Sequence, residues 1–552
     1  METKEKIINS EIFDKMLLGG VENLHSNIQV VNDLNVFPIP DGDTGENMFS
    51  TLKSGFDKLK VSKGISLCEK ARALADGMLL GARGNSGVIL SQLFFGLAEG
   101  LAGKENADLK EFSNALLQGV KCAYGSVSHP VEGTILTVAR ESAEKVNESL
   151  LSDMTVEDFF DVFSQEMKKS LEHTPELLKV LKEAGVIDSG GAGLYYIIEG
   201  FCLALGGKVS LGELNTTYSN DKPMVDYSAF NENSEMKFGY CTELLLQLLN
   251  KKCDVNSFDL ESFKDYLNSI GDSVVAFRTG TVVKIHVHTL NPNLVLERAL
   301  QFGDFLTVKI ENMTLQHNET LSEDKNSEKQ ERKKFALVTV ASGEGLVKLF
   351  KELGADFVIN GGQTNNPSSE DFINAFDSVN ADYIFVLPNN GNIVLTAKQA
   401  ASIYKDASVR VIESKSEGEG YSALSMLDYS SDDPDTIENN LKEDMKDVQS
   451  AMVARSVRDA CLNGVSVKEG QYMGYSNGQL LVAKNDKTDA CCALIDCIDK
   501  TDKYCIIAVY GKSVSEQEKR ILSTFVKQNY PDIEFYEIAG LQDVHDFLIF
   551  IQ

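Results

Sequence analysis

Apolar residues recur three and four positions apart through residues 1–205, as in 69–78, 108–123 and 156–171, which predicts amphipathic helices. β-branched runs are rare there, and glycine clusters at 41–45, 81–87, 132–134 and 188–193 punctuate the pattern at junctions between helices. A polar stretch at 215–226 reads as a first linker. Residues 235–314 mix patterns, with strands expected at 273–277 and 281–287 and a helix at 263–270. Residues 318–334 are almost free of apolar side chains and form the clearest linker in the chain. Beyond it the period changes. Short β-rich runs at 335–341, 357–359, 383–387 and 409–412 alternate with helical segments such as 345–353, which predicts βαβ units and a parallel sheet. Asn477-Gly478 between 472–475 and 480–482 predicts a hairpin, and 504–510, 515–528 and 533–538 predict a further strand, helix and strand. The expectation is a multidomain chain: an all-α helical barrel (1–205), a small α+β domain (227–315) and an α/β domain (335–552).

Charge narrows the function classes. With 53 Lys and Arg against 82 Asp and Glu, the net charge is −29. A nucleic-acid binder needs clustered cations for phosphate contacts, and anionic membrane attracts basic surfaces, so both are excluded as expectations. The first residues lack the apolar run of a secretory signal, and no uncharged apolar stretch reaches the roughly 20 residues that cross a bilayer. A cytoplasmic protein is expected. Ten Cys without a Cys-x-x-Cys spacing do not make a disulfide scaffold, and the adjacent Cys491 and Cys492 read as structural.

The chemistry is concentrated in the glycine junctions. Asp41 and Asp43 flank Gly42, so two carboxylates on a tight turn can converge on a hard cation such as Mg²⁺. Gly45 permits a close backbone approach to phosphate, and Thr44 and Asn47 add hydrogen-bond donors. The same Asp-Gly-Asp also suits a plain surface turn. Gly81-Ala-Arg-Gly-Asn-Ser-Gly87 precedes a helical segment, and a glycine-rich turn opening a helix is a ready anion site. Asn85, Ser86 and Gly87 supply donors there, and Arg83 can neutralise charge on a transferred phosphoryl group. The alternative is ordinary helix capping by Asn85 or Ser86. Glu132-Gly-Thr134 and Asp188-Ser-Gly190-Gly-Ala-Gly193 complete the set, with Asp188 also readable as a simple N-cap.

Taken in order, these four motifs resemble the nucleotide-binding domain of dihydroxyacetone kinases, and the full architecture resembles the ATP-binding subunit of bacterial fatty acid kinase. The resemblance implies an all-α barrel holding ATP and two Mg²⁺ through Asp41 and Asp43. The dihydroxyacetone kinases place a third carboxylate a few residues upstream. Here Asn35 stands near that position with one extra residue of spacing, and Asp33 is the other choice. Nucleotide contacts would come from Thr44, Gly45, Asn47, Asn85, Ser86, Gly87 and Thr134, with Asp188 and Gly190 closing the pocket. The implied reaction passes the ATP γ-phosphoryl group to a fatty acid carboxylate held by a separate fatty-acid-binding carrier, giving acyl phosphate for phospholipid synthesis. A homodimer is expected. A fatty acid is already ionised at neutral pH, with a pKa of about 4–5 like a Glu side chain, so no general base is needed.

In the middle domain, His286 and His288 stand two apart on a predicted strand and so share a face. With Cys241 they form a plausible zinc set, Glu243 or water being fourth; paired histidines without metal are the alternative. The family pattern also has this Cys and His-x-His. In the last domain, loops 360–365 and 388–393 follow predicted strands, where α/β sheets bind ligands, and both also read as ordinary turns. That domain resembles the lipid-binding partner of the same kinase and is expected to dock the acyl carrier. Two rivals stand beside this reading: a kinase of dihydroxyacetone or a similar triose, and a non-catalytic nucleotide-sensing scaffold.

Overall fold

The computed structural model describes residues 5–35, 42–62, 66–127, 129–206, 240–279, 281–312, 332–362, 366–456, 459–462 and 464–552. The chain divides into two compact units, one made of 1–212 together with 331–552, the other of 213–330.

Ten helices make up the N-terminal part among the described residues: α1 (Ser10–Ser26), α2 (Ile28–Leu34), α3 (Thr44–Val61), α4 (Leu67–Gly81), α5 (Gly84–Gly100), α6 (Leu109–Ser126), α7 (Ile135–Glu148), α8 (Val156–Leu177), α9 (Lys179–Ala184) and α10 (Ser189–Leu205). The three periodic segments that predict helices coincide with α4, α6 and α8, the second starting on the N-cap residue of α6. Each of these starts on a capping box: Ser66 with Glu69, Asp108 with Glu111, and Thr155 with Asp158. The part is not wholly helical, because β1 (Ile7–Ile8) pairs antiparallel with β2 (Ala107–Asp108); two residues per strand are too few to leave a period in the sequence. One core joins the helices, with Phe112, Phe159, Phe160 and Phe201 meeting edge-on within it. Glycine lets three helix pairs cross closely. A methyl group on Gly200 would come within 2.3 Å of the Gly19 carbonyl, one on Gly77 within 2.8 Å of Gly55, and one on Gly96 within 2.7 Å of Gly119.

The second unit is an antiparallel four-stranded sheet. Its strands are β3 (Tyr240–Leu248), β4 (Asp272–Thr279), β5 (Val282–Thr289) and β6 (Gly303–Asn312), in the order β4-β5-β3-β6. Helices Leu260–Ile270 and Pro292–Ala299 cover one face through Phe263, Leu267, Val295 and Ala299.

The parallel sheet that alternation predicts in the C-terminal part is present, and a second sheet joins it. β7 (Lys333–Ala341), β8 (Phe357–Asn360), β9 (Ala381–Leu387) and β10 (Ser408–Val411) do form a parallel sheet, ordered β10-β9-β7-β8. A second, six-stranded sheet follows. It contains β11 (Gln449–Arg455), then, beyond the small ribbon of β12 (Ala460–Leu462) and β13 (Val465–Val467), β14 (Tyr472–Ser476), β15 (Gln479–Lys484), β16 (Cys505–Tyr510), β17 (Glu534–Ala539) and β18 (Phe547–Ile551). Its order is β15-β14-β11-β18-β16-β17, and only β16 and β17 run parallel. The hairpin expected at Asn477-Gly478 joins β14 to β15 with both residues at positive φ, 50° and 73°. Helices Glu344–Glu352, Glu417–Ser425 and Pro434–Asp444 fill the space between the two sheets. Helices Ser369–Val379 and Val394–Ile403 cover the outer face of the parallel sheet and pack on α4 and α5. Cys491 is buried and Cys492 half-buried, on helix Lys487–Cys497 under the second sheet.

Candidate functional site

Five longer helices of the N-terminal part, α1, α4, α6, α8 and α10, are capped by a side chain at their start. Of the four that open on motif residues, only α10 is among these. Asp43, Arg83 and Thr134 stand at the N-cap positions of α3, α5 and α7 without a side-chain cap bond. Helix starts carry N–H groups without intrahelical partners and the positive end of the macrodipole, so an uncapped start is prepared for an anion. Capping by Asn85 or Ser86, the ordinary reading of the Gly81–Gly87 turn, is therefore not what the structure shows.

Side chains tie these starts together. Ser189 donates to the Thr44 hydroxyl at 3.4 Å, joining α10 to α3. Asp188 accepts the Gly191 N–H at 2.7 Å as the N-cap of α10, and it also takes the Ile135 N–H at the start of α7. Burial raises the Asp188 carboxyl to about 6, against the pull of those two N–H donors. Gly190 packs beside Ile135, where an added methyl would lie 3.2 Å from its Cβ. At α3, the Gly45 N–H donates to Asn32 Oδ1 at 2.7 Å, and Asn32 Nδ2 reaches Glu46 Oε2 at 2.5 Å. Gly84 stands at φ +59°, and a side chain there would strike Asn47 Nδ2, only 2.7 Å from its added Cβ. Gly87 packs on Thr51.

Asp43, Thr44 and Asn47 are all buried, as is Asn35 at the end of α2. Asp41 lies outside the described residues. Ser86 is half-buried on the first turn of α5. Thr134 donates to the Val131 carbonyl at 2.7 Å. Beside it, burial works to raise Glu132, but hydrogen bonds from Thr137, Arg140 and Tyr124 prevail and hold its carboxyl below the ordinary range.

The C-terminal part reaches into this region. Asn366 Nδ2 donates to Asp43 Oδ2 at 2.5 Å and stands 3.5 Å from Asn47 Oδ1. The Arg83 guanidinium donates to the Asn366 carbonyl at 2.6 Å and pairs with Asp371 at 3.7 Å. Asn85 Nδ2 donates to Asn392 Oδ1 at 3.2 Å. Gln399 bonds Ser91, Gln92 and the Leu79 carbonyl. Neither Asn32 nor Asn366 stands out in the sequence as a site residue. Asn32 shares a segment with the Asp-Gly-Asp turn, but Asn366 lies 323 positions from its partner and leaves no local signal.

Of the two C-terminal loops singled out by sequence, Asn360, Gly361 and Gly362 of the first and Pro388, Asn389, Asn390 and Ile393 of the second line a cavity of about 270 Å³ at the carboxyl ends of β7, β8 and β9, together with Ser342, Glu417 and His545. Burial raises the Glu417 carboxyl, which accepts from the Ser342 hydroxyl and N–H, and it lowers His545 to about 4. In the second unit, the register sets Cys241 opposite His288 and Glu243 opposite His286, but the side chains of Cys241, His286 and His288 lie outside the described residues. Among the described residues, no group of three or more His, Cys, Asp or Glu is placed to hold a metal ion, and no helix is long and apolar enough to cross a membrane.

Known proteins bear on this arrangement. Residues 38–203 match the DAK2 domain, 237–320 the FakA-like middle domain of fatty acid kinase, and 336–552 the FakA-like C-terminal domain. Protein YloV of Bacillus subtilis is 38% identical over 99% of both chains. An uncharacterised protein of Staphylococcus haemolyticus is 34% identical, again over 99% of each. Among solved structures, the dihydroxyacetone kinase from C. freundii in complex with AMP-PNP and Mg²⁺ is 17% identical with a TM-score of 0.28, covering 36% of this chain and 35% of that one. A DegV family protein from Eubacterium eligens loaded with heptadecanoic acid is 15% identical with a TM-score of 0.29, covering 39% and 98%. On the full-length relatives and the three domain matches, the chain belongs to the FakA-like family of fatty acid kinase proteins, and its DAK2 domain carries the cluster of helix starts around Asp43.

Proposed function

We propose that the chain is an ATP-dependent kinase that transfers the γ-phosphoryl group to the carboxylate of a fatty acid presented by a separate fatty-acid-binding protein, forming acyl phosphate for phospholipid synthesis. One observation carries the reading: the N-cap residues of α3 and α5 make no side-chain cap bond, and the first of them is the buried carboxylate of Asp43, within a DAK2 domain.

The residues suit a nucleotide with a hard divalent cation. Asp43, Thr44 and Asn47 present oxygen ligands, and Asn366 Oδ1 is buried with no hydrogen-bond partner among the described residues. Asp43, with Asp41 and Asn35, would hold Mg²⁺. Bound Mg²⁺ supplies neutralisation of the charge on the transferred phosphoryl group. The N–H groups at the start of α5 and those at the start of α3 other than Gly45, which donates to Asn32, receive phosphate oxygens together with the side chains of Thr44, Asn47 and Ser86. Asp188, which accepts the N–H groups of Gly191 and Ile135, joins α7 to α10 and closes the pocket. Arg83 holds the Asn366 loop in the described arrangement and is proposed to steady the transferring group from that side. The acceptor carboxylate arrives ionised, so orientation and charge stabilisation suffice.

Incubating the protein with ATP, Mg²⁺, oleate and a purified fatty-acid carrier should yield acyl phosphate, and Asp43→Ala should lower the rate by at least about 10²-fold, the usual loss when charge stabilisation is removed. ADP release that depends on dihydroxyacetone and ignores the fatty acid would overturn the acceptor. Full activity of Asp43→Ala in cells would point to a scaffold instead.

A further inference from the structure

We propose that Asn366, carried by the C-terminal part of the chain, is a positioning residue for the divalent-ion site, acting by orienting the Asp43 carboxylate. The inference rests on the reading of Asp43 as an Mg²⁺ ligand. A carboxylate only accepts hydrogen bonds, so the Asn366 amide must turn its NH₂ toward Asp43, and it does so at 2.5 Å. That bond fixes the direction in which the carboxylate is presented to a cation. Ligating carboxylates are commonly held this way by an outer partner that fixes their direction.

Asn366 is itself held on three sides. Its carbonyl accepts from Arg83. The neighbouring Ser368 forms an antiparallel bridge with Arg83, and the Ser369 N–H donates to the Ala82 carbonyl at 3.2 Å. The loop is thus anchored on the short segment that leads into α5. Gly84 keeps the space open: its added Cβ would stand 2.7 Å from Asn47 Nδ2 and 3.5 Å from Asn366 Nδ2. Farther along, Gln399 and Asn392 join the same two parts of the chain through Gln92 and Asn85. The buried, unpartnered Oδ1 of Asn366 is a cost that a loop with no other demand on it would relieve by turning to solvent. Here the amide is fixed by its bond to Asp43. Affinity for the cation in the helical part therefore depends on a residue of the α/β part.

The test uses the full-length chain, a non-hydrolysable ATP analogue, and Mn²⁺ as a spectroscopically visible substitute for Mg²⁺. Free Mn²⁺ is followed by electron paramagnetic resonance, and a melting curve is recorded for each variant. Asn366→Ala should weaken Mn²⁺ binding by about 10–100-fold, the usual loss when an outer partner of a ligand is removed, with the chain still melting cooperatively. Asn366→Ser serves the same purpose if the alanine variant does not fold. Mn²⁺ affinity within threefold of the parent overturns the proposal, and so does tighter binding, which would make the amide a competitor of the cation. Asp43→Ala separates the two levels. If it binds Mn²⁺ as the parent does, the reading of Asp43 fails. If it loses the ion while Asn366→Ala keeps it, only the role of Asn366 fails.

Discussion

Replacing Asp188 by Asn tests the electrostatics behind the proposed phosphate site. The carboxyl is buried, accepts the N–H groups of Gly191 and Ile135, and is raised by burial from 3.8 to about 6. A group raised on folding contributes stability that is fully present below its unfolded value and is lost as pH rises through its folded value. Between pH 5 and pH 7.5, a shift from 3.8 to about 6 corresponds to roughly 1.4 kcal/mol lost from the wild type. The asparagine variant keeps a side-chain acceptor for one N–H and has nothing to titrate. All other groups are common to both proteins, so the difference between their stabilities isolates this carboxyl. Thermal melts of both proteins at the two pH values should show wild type losing ground to Asp188→Asn by a few degrees on going to pH 7.5, since about 1 kcal/mol shifts the melting point by 2–4 °C for cooperative units of 150–250 residues. A difference that stays the same at both pH values would refute the reasoning and remove Asp188 from the buried junction of α7 and α10.

His545 should behave with the opposite sign. Burial lowers it from 6.5 to about 4, so its contribution is present above 6.5 and lost as pH falls toward 4, and between pH 7.5 and pH 5 the wild type should lose about 2 kcal/mol that His545→Gln does not, measured by urea unfolding at each pH. Gly200→Ala should destabilise the helical part by about 1–3 kcal/mol, because the new methyl would stand 2.3 Å from the Gly19 carbonyl and only backbone could yield. Gly125→Ala, on the open side of α6 with nothing within 4 Å, should instead be neutral or stabilise by up to about 1 kcal/mol in the same melts.

Much of the local structure is written in adjacent residues. The capping pairs Ser66 with Glu69, Asp108 with Glu111 and Thr155 with Asp158 lie three positions apart, and α4, α6 and α8 begin where they stand. The strands at β7 to β10 likewise follow from short β-rich runs between helical ones. The second sheet is harder to see. β18 is a continuous apolar run, Phe547–Ile551, which periodicity cannot separate from a buried helical turn. β11 carries Gln449, Ser450 and Arg455 and becomes a strand through its pairing with β14 and β18.

At the site the division is sharper. The glycine-rich turns, Asp43 and Asp188 are legible in sequence, because the helix starts and tight turns they serve involve only neighbouring backbone. Which starts remain uncapped, that Asp188 serves two helices at once, and that Asn366 turns its amide to Asp43 are decided by tertiary structure alone. Those contacts join residues up to 323 positions apart, and they exist because two helices of the α/β part pack on α4 and α5. Propensity and period act over a few residues, whereas burial acts between whatever surfaces the chain brings together.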